Sequence, residues 1–349
     1  MDATYSGKTI LVTGAGGCIG SAITKALVRL APRCLILLDN SEYNLYQIQL
    51  ELTAIPSCPP TASILGDICD GNLMGELFER HQPNIVFHAA AFKHLSILEA
   101  NPFEAVRNNT VGTWSLAKLA ARYETARLLV ISTDKAVNPH SVLGASKRMA
   151  EQVSLRWSSA TSQINVIRLG NILGAPGSVV PLFLQQICVG GPVTVTHPEV
   201  RRYFLTLDDA VDLVLRAASL DGSGQIFVPQ LGEPLKILDL ARHLIGQAAA
   251  EAAKDISILF TGLRPGDKMT EEFISKGESL DPTADGRLLR IGPSAIAPSG
   301  FDASMADLVD SLSKRDLPKL LDVLCRSVPE YRPSELLLGL ADHPPRRPT

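Results

Sequence analysis

Residues 9–20 of this chain read TILVTGAGGCIG, an apolar, β-branched run followed by three glycines spaced three apart, Gly14, Gly17 and Gly20. Such glycines let a strand turn tightly into a helix and let the backbone approach a pyrophosphate. The free N–H groups of the helix N-terminus then hold the phosphates. By itself this loop fits a dinucleotide site and an ordinary tight turn about equally well, so the surrounding sequence decides between them.

The flanking sequence continues the same alternation of strand and helix. Up to about residue 170, short β-branched runs alternate with helical patterns, and the first helical pattern carries its apolar residues on one face. That alternation is typical of a parallel sheet with crossover helices. It predicts strands over 9–13, 34–38, 63–65, 85–88, 128–132 and 164–169.

We therefore predict an α/β fold of the Rossmann type, a doubly wound parallel sheet with a smaller C-terminal substrate-binding lobe. Residues 1–170 form the NAD-binding domain, to which residues of about 203–230 return, with a strand over 225–228. Residues 171–343 form mainly the lobe, because glycine and proline punctuate shorter elements there. The proline-rich residues 344–349 are predicted to be a loose tail.

Composition argues against several classes of protein. The chain has 349 residues, 46% of them hydrophobic, and a net charge of -3, which supports a large core but no overall field that attracts nucleic acid or anionic lipid. Its six cysteines show no metal-ligand spacing, which indicates reduced thiols and no metal site. Neither a signal peptide nor a run of 18 apolar residues is recognised. We expect a cytoplasmic protein that does not insert into a membrane.

An acidic residue favours the dinucleotide interpretation of the glycine loop. Asp39 ends the second predicted strand, 19 residues after Gly20 (39 minus 20), close to the roughly 20 expected of a carboxylate that binds the adenosine ribose. A carboxylate there repels a 2′-phosphate, which favours NAD over NADP. The alternative is a helix N-cap or a turn aspartate. Further residues of the predicted cofactor channel are Cys18 in the loop, Asp67 after the third strand, and Ala89, Ala90 and Ala91 after the fourth.

Polar residues end the fifth predicted strand. Thr133, Asp134 and Lys135 lie outside its carboxyl end, where open α/β sheets bind ligands, although such an acidic–basic pair is more often a solvated turn. Downstream, Leu143-Gly-Ala-Ser-Lys147 keeps the lysine of the Tyr-x-x-x-Lys motif of short-chain dehydrogenases/reductases but has leucine in place of the phenol. Either catalysis is lost or another residue handles the protons.

Longer runs of sequence resemble one family over roughly residues 8–275. These runs are DNSEYNLY (39–46), FHAAAFKH (87–94), STDKAVNP (132–139), RYF (202–204) and GLRPGDK (262–268). In this combination the chain resembles the bacterial polysaccharide-biosynthesis branch of the extended short-chain dehydrogenases/reductases, nucleotide-sugar 4,6-dehydratases acting chiefly on UDP-N-acetylglucosamine. Many relatives carry an N-terminal membrane domain, and this chain resembles the short soluble form. The resemblance implies an enzyme of surface polysaccharide or glycan biosynthesis with tightly bound NAD, a UDP-sugar substrate and a homo-oligomeric state.

The resemblance also implies a chemistry. NAD+ takes a hydride from C4 of the sugar, water is lost across C5 and C6, and the hydride returns to C6. Lys135, with a lowered pKa, is expected to remove the C5 proton, and a protonated Asp134 to donate to the departing hydroxyl. A sub-branch carries an apolar methionine where this chain has Leu143, so Thr133 or Lys135 is expected to take the C4 proton. Lys147 is expected to orient the nicotinamide ribose.

The predicted contacts complete the site. The cofactor-binding residues are Gly14, Gly17, Cys18, Ile19, Gly20, Asp39, Asp67, Ile68, Ala89, Ala90, Ala91, Lys93, Asn109 and Lys147. The substrate-binding residues that the resemblance implies are Lys93, Asn171, Ser178, Val179, Thr196, Arg202 and Arg264, of which the two arginines face the diphosphate and uridine. Glu99 is a further candidate for the border of the sugar, and Pro176 departs from the family, where an arginine is common.

Two other functions stay open. A nucleotide-sugar epimerase would return the hydride to C4 and give a product of unchanged mass. A catalytically silent NAD-binding scaffold would bind NAD and UDP and give no product. The retained Thr133, Asp134, Lys135 and Lys147 favour the dehydratase.

Overall fold

The computed structural model describes residues 2–252, 256–292 and 301–342 of the chain. The tail predicted over 344–349 lies outside these residues. No helix among the described residues combines the length and the apolar character that crossing a membrane requires. All six cysteines are described, and each is an unpaired thiol.

A nine-stranded sheet forms the centre of the fold. The strands in chain order are β1 (Thr9–Thr13), β2 (Cys34–Asp39), β3 (Thr61–Leu65), β4 (Ile85–His88), β5 (Arg127–Thr133), β6 (Gln163–Leu169), β7 (Asn171–Ile172), β8 (Val193–Val195), β9 (Arg201–Arg202), β10 (Phe204–Leu205), β11 (Ile226–Pro229), β12 (Leu235–Lys236), β13 (Ile258–Phe260), β14 (Leu280–Pro282) and β15 (Leu288–Ile291). The large sheet has the order β14-β15-β11-β6-β5-β4-β1-β2-β3. Its neighbouring strands are parallel from β3 to β11 and antiparallel beyond β11.

Helices precede, separate and follow these strands. They are α1 (Asp2–Tyr5), α2 (Cys18–Val28), α3 (Glu42–Thr53), α4 (Gly71–His81), α5 (Leu95–Ala100), α6 (Pro102–Val106), α7 (Thr113–Arg122), α8 (Val142–Leu155), α9 (Val179–Cys188), α10 (Leu207–Ser219), α11 (Ile237–Ala252), α12 (Phe301–Lys314), α13 (Leu317–Ser327) and α14 (Glu335–Asp342). A π-helix spans Arg107–Gly112 and a 3-10 turn spans Asp134–Ala136.

Apolar side chains cover both faces of the large sheet. All five residues of β1 are buried, as expected of a central parallel strand with helices on both sides. On one face, Ile23 of α2 and Val214 of α10 share a core, and on the other face Phe78 of α4 and Leu116 of α7 share a second core. A third apolar cluster joins α8 to α12 and α13, so the helix that carries Lys147 is covered by the last part of the chain.

The predicted fold class is confirmed. The strands predicted over 9–13 and 85–88 have the predicted bounds, and the other predicted strands differ by one or two residues at an end. The large sheet gains β14 and β15, which the sequence did not predict, because both are short. Three two-stranded sheets, β7 with β10, β8 with β13 and β9 with β12, lie in the C-terminal part. The division of the chain at residue 170 stays a prediction.

Candidate active site

The glycine loop between β1 and α2 is packed too tightly for side chains. At Gly14 φ is +66°, and a Cβ atom would lie 2.7 Å from the Ala90 nitrogen. A Cβ atom at Gly20 would overlap the Gly14 carbonyl oxygen. Gly16, which the three-residue spacing did not single out, is equally confined, because a Cβ atom there would lie 2.5 Å from the Asn44 carbonyl carbon. The loop therefore presents bare backbone, as a bound pyrophosphate requires.

Asp39 holds this loop against the end of β2. Its Oδ2 accepts a hydrogen bond from the Gly16 N–H at 2.9 Å, and its Oδ1 accepts one from the Ser41 N–H at 2.9 Å. The carboxylate is buried and lines the cleft beside the glycine loop. Because each carboxylate oxygen has further acceptor capacity, Asp39 can hold the loop and also accept from a ribose hydroxyl. Asp39 can therefore be both a turn residue and the carboxylate that binds the adenosine ribose.

The cleft continues past the carboxyl ends of β3 and β4, where Asp67, Ile68 and residues 89–91 line it. Asp67 accepts from the Cys69 N–H at 2.9 Å and from Arg107 Nη2 at 3.0 Å. Burial would raise the pKa of Asp67, but these two donors outweigh burial and lower it. Bare glycine backbone at one end and small alanines at the other leave room for a dinucleotide, so these residues fit NAD.

Four other predicted cofactor residues lie close in sequence to residues that line the cleft. Cys18 and Ile19 begin α2 and pack against the core. Asn109 is fully buried in the π-helix, where it accepts from the Phe92 N–H at 2.9 Å and donates to the Phe92 carbonyl at 3.1 Å. Lys93 is exposed and donates to the Pro176 carbonyl oxygen at 3.0 Å. Asn109 thus fixes the turn after β4, and Lys93 joins that turn to the loop before α9.

The end of β5 brings polar side chains together. Asp134 is fully buried, and its Oδ1 accepts from Thr133 Oγ1 at 2.8 Å and from Lys135 Nζ at 2.9 Å. Lys135 Nζ also donates to Asn171 Oδ1 at 2.9 Å, which joins β5 to β7. Asp134 Oδ2 is buried and has no hydrogen-bond partner among the described residues. Buried polar atoms are normally paired, so this oxygen is an acceptor whose hydrogen-bonding capacity is unused.

The surroundings of Lys135 change its expected chemistry. Burial alone would lower the pKa of Lys135, but the carboxylates of Asp134 and Glu271 outweigh burial and raise it above the ordinary value. Glu271 Oε1 lies 4.0 Å from Lys135 Nζ. The prediction of a lowered pKa is therefore wrong, because the carboxylate of Asp134 and, to a smaller extent, that of Glu271 stabilise the ammonium. As an ammonium, Lys135 has no electron pair with which to accept a proton.

Glu271 is a site residue that the sequence did not reveal. It is buried, with Oε1 at 3.7 Å from Arg202 Nε and Oε2 at 3.3 Å from Lys268 Nζ. In the sequence it is half of an acidic pair, Glu271-Glu272, in a polar stretch, and such residues are usually exposed. Its proximity to the GLRPGDK run was the one signal that could have found it.

Leu143 contributes packing at the position of the missing tyrosine. It is the second residue of α8 and belongs to an apolar cluster with Leu98 and Met149. Lys147, one turn further along α8, donates from Nζ to the Ile131 carbonyl oxygen at 2.7 Å. Burial lowers the pKa of Lys147 to about 8, against an opposing effect of the Glu151 carboxylate. Lys147 is therefore a buried amine directed at the strand that carries Thr133.

Glu99 caps α8. Its Oε1 accepts from the Val142 N–H at 2.6 Å, and its Oε2 accepts from Ser334 Oγ at 2.5 Å. Burial raises the pKa of Glu99, and these two donors oppose the effect. The carboxylate of Glu99 thus satisfies a free N–H group at the start of a buried helix, and its place at the border of the sugar stays a prediction.

His88 ties three elements together at the carboxyl edge of the sheet. Its Nδ1 lies 2.7 Å from Thr13 Oγ1 on β1, and its Nε2 lies 2.8 Å from Thr113 Oγ1 on α7. Burial, with a smaller effect of Lys147, lowers the pKa of His88 to about 3. The ring is therefore neutral and holds the strand ends in register.

The two predicted substrate arginines differ in their surroundings. Arg202 is buried on β9, and its Nη1 donates to the carbonyl oxygens of Arg201 at 2.8 Å and Met269 at 3.3 Å. Arg264 is exposed and pairs with Asp267, with Nε at 2.9 Å from Oδ2. Arg264 is therefore the more accessible cation for a diphosphate.

The remaining predicted substrate residues lie around α9 and β8. Ser178 is the N-cap residue of α9, and its Oγ is buried without a hydrogen-bond partner among the described residues. Val179 is the first residue of α9, and Thr196 directly follows β8. Asn171 is the residue of this predicted group that contacts Lys135 directly.

Comparison with known proteins places the chain in a family of polysaccharide biosynthesis proteins. The family model described as "Polysaccharide biosynthesis protein" matches residues 10–293. The chain is 42% identical to the capsular polysaccharide biosynthesis protein CapD of Staphylococcus aureus over 316 residues, which cover 90% of this chain and 53% of CapD. The chain therefore spans about half the length of this relative.

Two further relatives bear the names of enzymes. The UDP-N-acetylglucosamine 4,6-dehydratase (inverting) of Campylobacter jejuni is 30% identical, with 79% of this chain and 80% of that protein covered. The UDP-glucose 4-epimerase of Rickettsia rickettsii is 31% identical, with 78% and 79% covered. Among solved structures, Pen from Bacillus thuringiensis superposes with a TM-score of 0.77 at 29% identity, covering 83% of this chain and 89% of Pen.

Proposed function

The chain belongs to the polysaccharide biosynthesis protein family, and we propose that it is an NAD-dependent nucleotide-sugar 4,6-dehydratase. Its proposed substrate is UDP-N-acetylglucosamine, which loses water across C5 and C6 and becomes a 4-keto-6-deoxy sugar for surface polysaccharide or glycans. The similarity to the C. jejuni dehydratase supports the reaction, and the similarity to CapD supports the biosynthetic setting.

One observation carries this proposal, namely a carboxylate and an ammonium held side by side at the end of β5. An elimination needs one group that accepts a proton from carbon and one that donates a proton to the departing oxygen. Asp134 has an unpartnered carboxylate oxygen, and Lys135 is a protonated donor whose side chain is 20% exposed. The pair supplies both functions without a tyrosine at position 143.

NAD is the proposed cofactor, and when bound it supplies the acceptor and the donor of the hydride. The backbone of the loop at Gly14, Gly16 and Gly17 would hold the pyrophosphate, and Asp39 the adenosine ribose. Lys147 would meet the nicotinamide ribose. The buried carboxylate of Asp39 disfavours a 2′-phosphate, so NADP is the less favoured cofactor.

The proposed elimination assigns one proton transfer to each member of the pair. Asp134 Oδ2 accepts the C5 proton, and the electrons of the C5–H bond form the C5–C6 double bond. The C6–O bond breaks, and Lys135 donates a proton to the departing hydroxide, which leaves as water. This is the reverse of the roles expected from the sequence, and it follows from the raised pKa of Lys135. Thr133 is then the remaining candidate for contact with the C4 hydroxyl group.

Incubation of the purified chain with NAD and UDP-N-acetylglucosamine, followed by mass spectrometry and proton NMR, tests the proposal. A product lighter by one water supports the dehydratase. A product of unchanged mass supports the second candidate, an epimerase, which the similarity to the R. rickettsii enzyme favours. Bound NAD with no product would identify a scaffold.

Variants of the pair test the assigned residues. Lys135→Ala and Asp134→Asn should each abolish the loss of water while NAD binding is retained, because each removes one side of the elimination. Lys276→Ala, which replaces an exposed lysine, is the matched control and should keep wild-type turnover. Full activity of Lys135→Ala would contradict the assignment.

A further inference from the structure

We propose that Glu271 is a positioning residue of this site, whose carboxylate orients the Lys135 ammonium and the Arg202 guanidinium. This inference rests on the proposed function and deepens it, because it names a second carboxylate, besides Asp134, that acts on the proton donor. Glu271 acts through Lys135 and Arg202 and is not itself assigned a proton transfer.

The geometry gives one carboxylate three cationic neighbours from different parts of the chain. Glu271 Oε1 lies 4.0 Å from Lys135 Nζ, just after β5, and 3.7 Å from Arg202 Nε on β9. Glu271 Oε2 lies 3.3 Å from Lys268 Nζ, which also donates to the Val137 carbonyl oxygen at 2.7 Å. Glu271 thereby connects the end of the large sheet to the C-terminal part.

Burial makes these ion pairs strong determinants of geometry. Glu271 is 2% exposed, and Arg202 and Lys268 are each 8% exposed. A charge removed from water is tolerated when it is paired, and removal of one partner leaves the others uncompensated. Glu271 Oε2 has no hydrogen-bond partner among the described residues, so the carboxylate is held by charge rather than by directed hydrogen bonds.

Several charged groups surround Lys135, and their signs determine the effect of removing Glu271. Asp134 on the same turn and Glu271 both stabilise the ammonium, while Arg202 opposes them. Lys268 faces the other oxygen of Glu271. Burial and then Lys268 lower the pKa of nearby His140, so that ring is neutral at neutral pH. Loss of the Glu271 carboxylate removes one of the two stabilising charges, and the pKa of Lys135 should fall.

Competitive labelling of the full chain with acetic anhydride across a range of pH values measures this effect directly. The fraction of Lys135 acetylated, read by mass spectrometry of its peptide, gives the midpoint at which the amine becomes neutral. In Glu271→Gln this midpoint should fall by roughly one pH unit or more. Glu272→Gln, the same change at the exposed neighbouring position, should leave it unchanged. Glu271→Asp, which keeps the charge but shortens the side chain, should give a smaller fall.

Thermal unfolding shows whether each variant is folded, and Glu271→Asp replaces Glu271→Gln in the comparison if the latter does not fold. The same midpoint in the wild type and in the folded Glu271 variant would overturn the proposal. If the wild type is active, the alkaline limb of the pH–rate profile of the Glu271 variant should lie at lower pH than that of the wild type, in step with the labelling midpoint. A wild type that binds NAD and UDP-sugar but releases no dehydrated product would refute the proposed function, and the labelling result would still decide the role of Glu271.

Discussion

Replacing Asp39 by alanine tests the proposed cofactor cleft, because two backbone N–H groups depend on its carboxylate. The bond to Gly16 belongs to the pyrophosphate loop, and the bond to Ser41 belongs to the turn before α3. A hydrogen bond to a charged group contributes about 1.5–3 kcal/mol. Of these two bonds, only the one from Gly16 is coupled to the cofactor, so its loss alone should raise the Kd for NAD about ten- to a hundred-fold, since 1.4 kcal/mol corresponds to a factor of ten. Loss of the proposed bond from the adenosine ribose should add to this rise.

The assay is a calorimetric titration of the purified Asp39→Ala variant with NAD and, separately, with NADP. The preference for NAD over NADP should also narrow, because the charge that repels the 2′-phosphate is gone. Asp39→Asn is the matched control, because its single amide oxygen keeps one acceptor, and its loss of affinity should be intermediate. A folded Asp39→Ala variant that binds NAD within about twofold of the wild type would refute the argument, because it would show that Asp39 does not preorganise the loop.

Two further predictions concern α8. Leu143→Tyr should not raise turnover. Urea unfolding should show a free energy of unfolding that is about 1–3 kcal/mol lower than in the wild type, because a larger ring must enter a packed cluster. A wild type without activity and a Leu143→Tyr variant with activity would instead indicate a scaffold. Burial lowers the pKa of Lys147 to about 8, so the folded protein disfavours its charge. The stability of the wild type relative to Lys147→Met should therefore rise by roughly 2–3 kcal/mol between pH 7 and 10, and a constant difference in urea titrations would show that the amine is not buried as described.

The large sheet and the glycine loop were predictable because their signals are local. A buried strand, a turn that needs bare backbone and an acidic strand end lie within 31 residues, from Thr9 to Asp39. The spacing of the glycines did not predict the role of Gly16, because Gly16 is confined by Asn44 on the following helix. Strands β14 and β15 were not predicted, because runs of three and four residues carry little periodicity.

The site at the end of β5 was only partly predictable. Thr133, Asp134 and Lys135 are adjacent in sequence, so their proximity was certain, but Glu271, which also raises the pKa of Lys135, comes from a distant part of the chain. Glu99 shows the same limit, because its partner Ser334 lies 235 residues away. Electrostatic environments are set by tertiary contacts, and a single sequence does not state which of its charges meet.

The contact of Lys93 with the loop before α9 has a consequence for which changes this loop can accept. The acceptor is the carbonyl oxygen of Pro176, which belongs to the main chain. Any residue at position 176 supplies the same oxygen, so a change of side chain there leaves the joined loops intact. The side chain at position 176 can therefore change while this main-chain contact, and with it the link between the two loops, is kept.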